Sequence, residues 1–77
     1  MNGLNVPLNF LNEGRFGRVE SISSGELIIK KLMEMGIVKG STIQVMKNDM
    51  GPMILRIGET RLVLGKGMAQ KVIVREC

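Results

Sequence analysis

Along this chain the spacing of apolar residues changes period twice. Val6, Leu8 and Phe10 alternate with Pro7 and Asn9. That predicts a short extended segment, which Pro7 confines to a sheet edge. Asn12-Glu13-Gly14 marks a turn, and the loose alternation over Arg15 to Ile22 predicts a second strand. From Glu26 the period lengthens. Ile28, Ile29, Leu32, Met33 and Met35 share one broad face, with Glu26, Lys30, Lys31 and Glu34 opposite, which predicts one amphipathic helix. Ser23 and Glu26 have capping-box spacing, and Ile22 and Leu27 have the spacing of a hydrophobic staple. Gly36 stands where the periodicity ends and suits the left-handed residue that closes a helix. Gly40 marks a tight turn four residues on.

Beyond Gly40 the period falls to two. Ile43 and Val45 alternate with Thr42, Gln44 and Met46, and Lys47 to Pro52 reads as a loop. Met53–Ile57 and Thr60–Leu64 are strands joined by Gly58-Glu59, a two-residue loop suited to a type II′ hairpin. This hairpin sets its own register. Met53, Leu55, Ile57, Thr60, Leu62 and Leu64 take the core face; Ile54, Arg56, Arg61 and Val63 take the outer one. Arg56 and Arg61 then stand directly opposite each other, which is unfavourable unless an anion lies nearby. Gly65 to Gln70 is a connector with room for one helical turn. Lys71–Arg75 is the last strand, with Val72 and Val74 on one side. Five or six short strands, one helix and glycine-rich turns predict a small antiparallel β-barrel, mainly β, whose closure removes sheet edges.

Composition narrows this picture. Seventy-seven residues make one domain, 1–77. Phe10 and Phe16 are the only aromatics, so the core must be aliphatic. The net charge of +4 permits anionic partners, although the cations are spread along the chain. The lone cysteine, Cys77, allows no internal disulfide and points to a reducing compartment. Residues 1–7 lack the basic region and apolar run of a secretory signal. No apolar run approaches the ~20 residues that span a bilayer. A soluble, cytoplasmic protein is expected.

The chemical inventory favours binding over catalysis. Without histidine there is no ordinary general base near neutral pH, Cys77 has no histidine partner, and no two carboxylates are closely spaced on one element. Neither an active site nor a cofactor is expected. Gly36 to Ser41 and Gly65 to Gly67 are similar to phosphate loops only superficially, because a Walker loop runs from strand to helix and the first of these runs from helix to strand. Scattered acids and the absence of histidine leave no ferrous-iron site. Met33, Met35 and Met53 sit at core spacing and read as gap-fillers. Arg56, Arg61, Lys71 and Arg75 could form a basic stripe for nucleic-acid phosphate, but two phenylalanines make a poor stacking platform. The candidate site is a partner surface made of two groups, Leu27 with Lys30 and Lys31, and Ile54 and Val63 with Arg56 and Arg61. In both, apolar groups are ringed by cations. The competing reading has Leu27 serving only the staple, and Ile54 and Val63 covered by the Val6–Phe10 segment.

In this order and spacing the elements resemble the FeoA family, small cytosolic accessory proteins of bacterial ferrous-iron uptake. The likeness covers nearly the whole chain. It rests on Pro7-Leu8 through Gly14, the joint Leu32-Met33-Glu34-Met35-Gly36-Ile37-Val38-Lys39-Gly40, Gly51-Pro52, and the ending Leu62-Val63-Leu64, Ala69 and Val72-Ile73-Val74. Lys39 departs from the family's usual proline, and Gly65-Lys66-Gly67 from a more helical stretch. The resemblance implies an SH3-like barrel and a partner, the cytosolic part of FeoB, a membrane-embedded nucleotide-hydrolysing iron transporter. The membrane would be reached only through that partner, whose assembly or nucleotide turnover the chain would modulate. Two other readings stay open: a small basic nucleic-acid-binding barrel, and a regulatory SH3-like domain related to iron-dependent repressors. Exposed strand edges and the terminal thiol also allow a weak homo-oligomer.

Overall fold

The computed structural model describes residues 4–77, so the reading of the first three residues as part of a non-signal segment lies outside it. The chain runs through β1 (Asn5–Pro7), a 3-10 turn (Leu8–Phe10), β2 (Phe16–Ile22), α1 (Glu26–Glu34), β3 (Thr42–Lys47), β4 (Met53–Ile57), β5 (Thr60–Leu64), α2 (Lys66–Ala69) and β6 (Val72–Glu76). The strands form one antiparallel sheet in the order β1-β6-β2-β3-β4-β5. β1 and β5 are its two edges, so the ladder stays open between them. The core is aliphatic, as the scarcity of aromatics requires. Val19, Ile43, Val45, Leu55, Val72 and Val74 enter it from the strands, Leu32 from α1 and Ile37 from the joint.

The strand expected over Arg15 to Ile22 forms as β2, while the alternation after Pro7, the capping box and the staple do not hold. The alternation of Val6, Leu8 and Phe10 ends at Pro7, where the chain turns and the Leu11 N–H donates to the Leu8 carbonyl at 3.1 Å. Side chains three residues apart eclipse in such a turn, so Leu8 and Leu11 both enter the core while Phe10 is 67% exposed. The loose alternation of β2 comes from a bulge against β6 between Val19 and Ser21, which re-aims the side chains after it. The capping box does not form. The Ser23 N–H donates to the Lys71 carbonyl at 2.7 Å, prolonging the β2–β6 ladder, and α1 starts from Gly25 without a side-chain cap. With the start moved, Leu27 has no staple to serve and is 85% exposed.

The joint after α1 matches its sequence signature. The Ile37 N–H donates to the Leu32 carbonyl and the Gly36 N–H to the Met33 carbonyl, both at 2.9 Å. These are the paired bonds of a Schellman close, with Gly36 at φ +88° and the Leu32–Ile37 apolar pair that accompanies it. The Ser41 hydroxyl locks the turn, donating to the Gly36 carbonyl (2.9 Å) and accepting from the Val38 N–H (3.2 Å). Two backbone bonds of 2.8 Å, Gly40 N–H to Val19 O and Val19 N–H to Ser41 O, dock the joint on β2. Space around Gly36 is open, so Gly36→Ala should cost only its backbone strain, about 1–2 kcal/mol. Thermal unfolding would then occur roughly 4–16 °C lower. An unchanged melting temperature would show that the joint relaxes to negative φ.

Candidate docking surface

The β4–β5 hairpin has the register that its two-residue turn predicts, from Met53 opposite Leu64 to Ile57 opposite Thr60. Gly58 has φ +60° and no described non-glycine residue has positive φ, which selects type II′ over type I′. Pleating sends Met53 and Leu55 inward and Ile54 and Arg56 outward. On the outer face Ile54 faces Val63 and Arg56 faces Arg61. Val63 is 62% exposed, so the N-terminal segment does not cover it; Ile54 is half-buried. Among the described residues the salt bridges are Arg15–Glu76 (3.3 Å) and Lys47–Asp49 (3.9 Å). Neither member of the arginine pair has a carboxylate, and Arg56 Nε donates to the Gly58 carbonyl at 2.9 Å.

Leu27, Lys30 and Lys31 are exposed on α1, but none of the clefts described here holds residues of both this group and the hairpin. A single exposed leucine among lysines is ordinary surface. The hairpin is the stronger half of the expected site. The proposed phosphate stripe is also divided. Arg75 lies on β6, three strands from Arg56, and its cross-strand neighbour is Arg18.

Two features escaped the sequence reading. The first is the breadth of the outer face. Phe16 pairs with Gln44, and Gln44 with Arg56, so a row runs Phe16, Gln44, Arg56, Arg61 from β2 to β5. A cleft of about 360 Å³ opens there, lined by Phe16, Thr42, Gln44, Arg56 and Gly58. A smaller one, about 190 Å³, lies among Arg18, Glu20, Arg75 and Cys77. The second feature is an apolar groove of about 340 Å³ between α1 and β2, lined by Ile29, Met33, Ile37 and Val38, with Glu20 and Lys39 also contributing. Met33, expected in the core, is 54% exposed. The helix centres its buried face on Ile28, Leu32 and Met35, which leaves the i,i+4 pair Ile29 and Met33 on its flank. Among the described residues no three His, Cys, Asp or Glu side chains are gathered as a metal site would need.

A family model described as the FeoA domain matches residues 6–76. A protein of Methanocaldococcus jannaschii, provisionally named Fe(2+) transport protein A, is 34% identical over 70 residues, covering 91% of this chain and 85% of its own. A crystal structure of an iron uptake regulatory protein (FeoA) superposes with a TM-score of 0.90 at 40% identity, covering 96% of this chain and 99% of the other. A manganese-dependent transcriptional repressor superposes with a TM-score of 0.85 at 22% identity, over 95% of this chain and 42% of its own. That last likeness is one of SH3-like fold alone.

Proposed function

This chain belongs to the FeoA domain family, and we propose that it serves Fe(2+) transport as a cytoplasmic, non-enzymatic docking module. In this reading residues 1–77 act as one unit. They bind the cytosolic part of the FeoB-type membrane GTPase and change its assembly or nucleotide turnover. No helix among the described residues is long and apolar enough to cross a membrane, and the chain has no histidine to act as a base.

The carrying observation is the outer hairpin face. Arg56 and Arg61 are opposed, at a cost of up to about 1 kcal/mol, and among the described residues neither forms a salt bridge. A partner that brings carboxylates relieves this repulsion and gains charge-assisted hydrogen bonds. It also covers Val63, which is 62% exposed, and burying the remaining surface contributes about 1 kcal/mol.

Titration calorimetry against the soluble nucleotide-binding domain of the transporter tests the reading, with GDP and with a GTP analogue. The expected Kd is about 1–100 μM. Unequal affinity in the two nucleotide states is expected of a module that shifts the switch, whereas equal affinity would make it a scaffold. R56E/R61E should weaken binding by about tenfold or more and leave thermal unfolding near that of the parent. A folded double variant with undiminished affinity would remove the hairpin from the interface. No binding by the parent chain would overturn the transporter reading.

A further inference from the structure

We propose that the whole outer face of the sheet, from the β6–β2 ladder to the β4–β5 hairpin, binds an extended acidic polypeptide segment. This rests on the docking reading above and names the chemistry that the partner presents.

The strand register places two like-charge pairs on this face, Arg18 opposite Arg75 and Arg56 opposite Arg61. Between them β3 presents the uncharged Thr42, opposite Arg18, and Gln44, opposite Arg56. None of the four arginines takes part in a salt bridge among the described residues. The internal bonds of Arg56 and Arg75 run from Nε to neutral oxygens, the Gly58 carbonyl at 2.9 Å and Asn5 Oδ1 at 3.3 Å. Each pair also contributes to a cleft, Arg56 to the larger and Arg18 with Arg75 to the smaller.

Spacing favours a chain over a single anion. Strands lie about 4.8 Å apart, so Arg18 on β2 and Arg56 on β4, offset by two residues, are about 12 Å apart at the backbone. About four extended residues cover that distance. Guanidinium forks match carboxylates in bidentate geometry. Nucleic acid fits less well, because single strands are held by stacked aromatics and Phe16, 43% exposed, is the one aromatic in this row. Glu20 lines the smaller cleft and weakens its attraction for acids, so the hairpin pair should dominate.

The probe is a fluorescein-labelled octaglutamate peptide, followed by anisotropy at about 0.1 M salt, where charges more than about 10 Å apart are largely screened, beside a labelled twelve-nucleotide oligouridylate. Saturable, salt-sensitive binding of octaglutamate is expected. R56E/R61E should weaken it about tenfold or more, and R18E/R75E by a smaller factor. K30E/K31E changes the net charge by the same amount on α1 and should alter affinity less than about twofold. R56Q/R61Q repeats the test without adding carboxylates, and circular dichroism confirms that each variant is folded. The proposal is overturned by absence of saturable binding, by an equal loss in K30E/K31E, or by tighter binding of oligouridylate, which would assign the face to nucleic acid. Octaglutamate binding through these arginines without affinity for the transporter domain would support the acidic site and overturn the transporter reading. Transporter binding without octaglutamate binding would do the reverse.

Discussion

Leu32→Ala lowers the stability of this chain by about 2–5 kcal/mol, the range for emptying a buried leucine site. Leu32 is the one residue of α1 that is wholly buried. It packs in the same core as Ile37, Ile43 and Leu55, and its carbonyl accepts from the N–H groups of Met35 (3.0 Å) and Ile37 (2.9 Å). The backbone is therefore pinned where the side chain would be lost, and the surrounding strand residues are held by their ladders. A cavity so framed collapses poorly, which places the cost in the upper part of the range. For a domain of this size total stability is about 4–12 kcal/mol, so the variant sits near the edge of folding. Urea titration should show a lower midpoint at unchanged slope. Met33→Ala, one residue on but half exposed to solvent, should cost about 0.5 kcal/mol or less. Equal losses at the two positions would contradict the assignment of Leu32 as the anchor of α1.

What was legible in the sequence is what a few neighbouring residues decide. The Gly36 close, the apolar stripe of α1 and the hairpin register each follow from chemistry within a turn or two, and each appears in the structure. The features that were not legible depend either on residues far along the chain or on a local turn that breaks the alternation. Nothing near Ser23 announces that its N–H will pair with the Lys71 carbonyl, and that bond displaces the helix start to Gly25. Leu8 and Leu11 need a turn after Pro7 to share the core, and simple alternation cannot encode it.

The same distinction divides the candidate surface. Arg56 and Arg61 were readable as opposed because two turn residues separate their strands. Arg18 and Arg75 were not, since their pairing requires β6 to return beside β2 and a bulge to follow Val19. The apolar groove beside α1 depends on where the helix docks, and a wide stripe does not reveal which of its edges stays wet.

Gly17→Val destabilises by about 1–3 kcal/mol through overpacking, and it does so beneath the arginine face. A Cβ at position 17 would lie 2.8 Å from Leu11 Cδ1 and 3.1 Å from both Cβ and Cγ2 of Val74. The Leu11 methyl is the far end of a flexible side chain and can rotate away. Val74 is β-branched, buried, and held in β6, so it yields mainly by moving the strand. Gly17→Ala already meets both neighbours, and valine adds two methyl groups to the same space. Leu11→Ala should therefore relieve part of the loss: Gly17→Ala costs less in the Leu11→Ala background than in the parent, a coupling of about 0.5 kcal/mol or more. Strict additivity across the four chains would show that Leu11 is no obstacle and that Val74 alone sets the limit. Because Gly17 precedes Arg18 on the strand that faces Arg75, separation of β2 from β6 should also weaken octaglutamate binding in the folded Gly17→Ala chain. Intact affinity there would mean that the sheet absorbs the strain without moving its outer face.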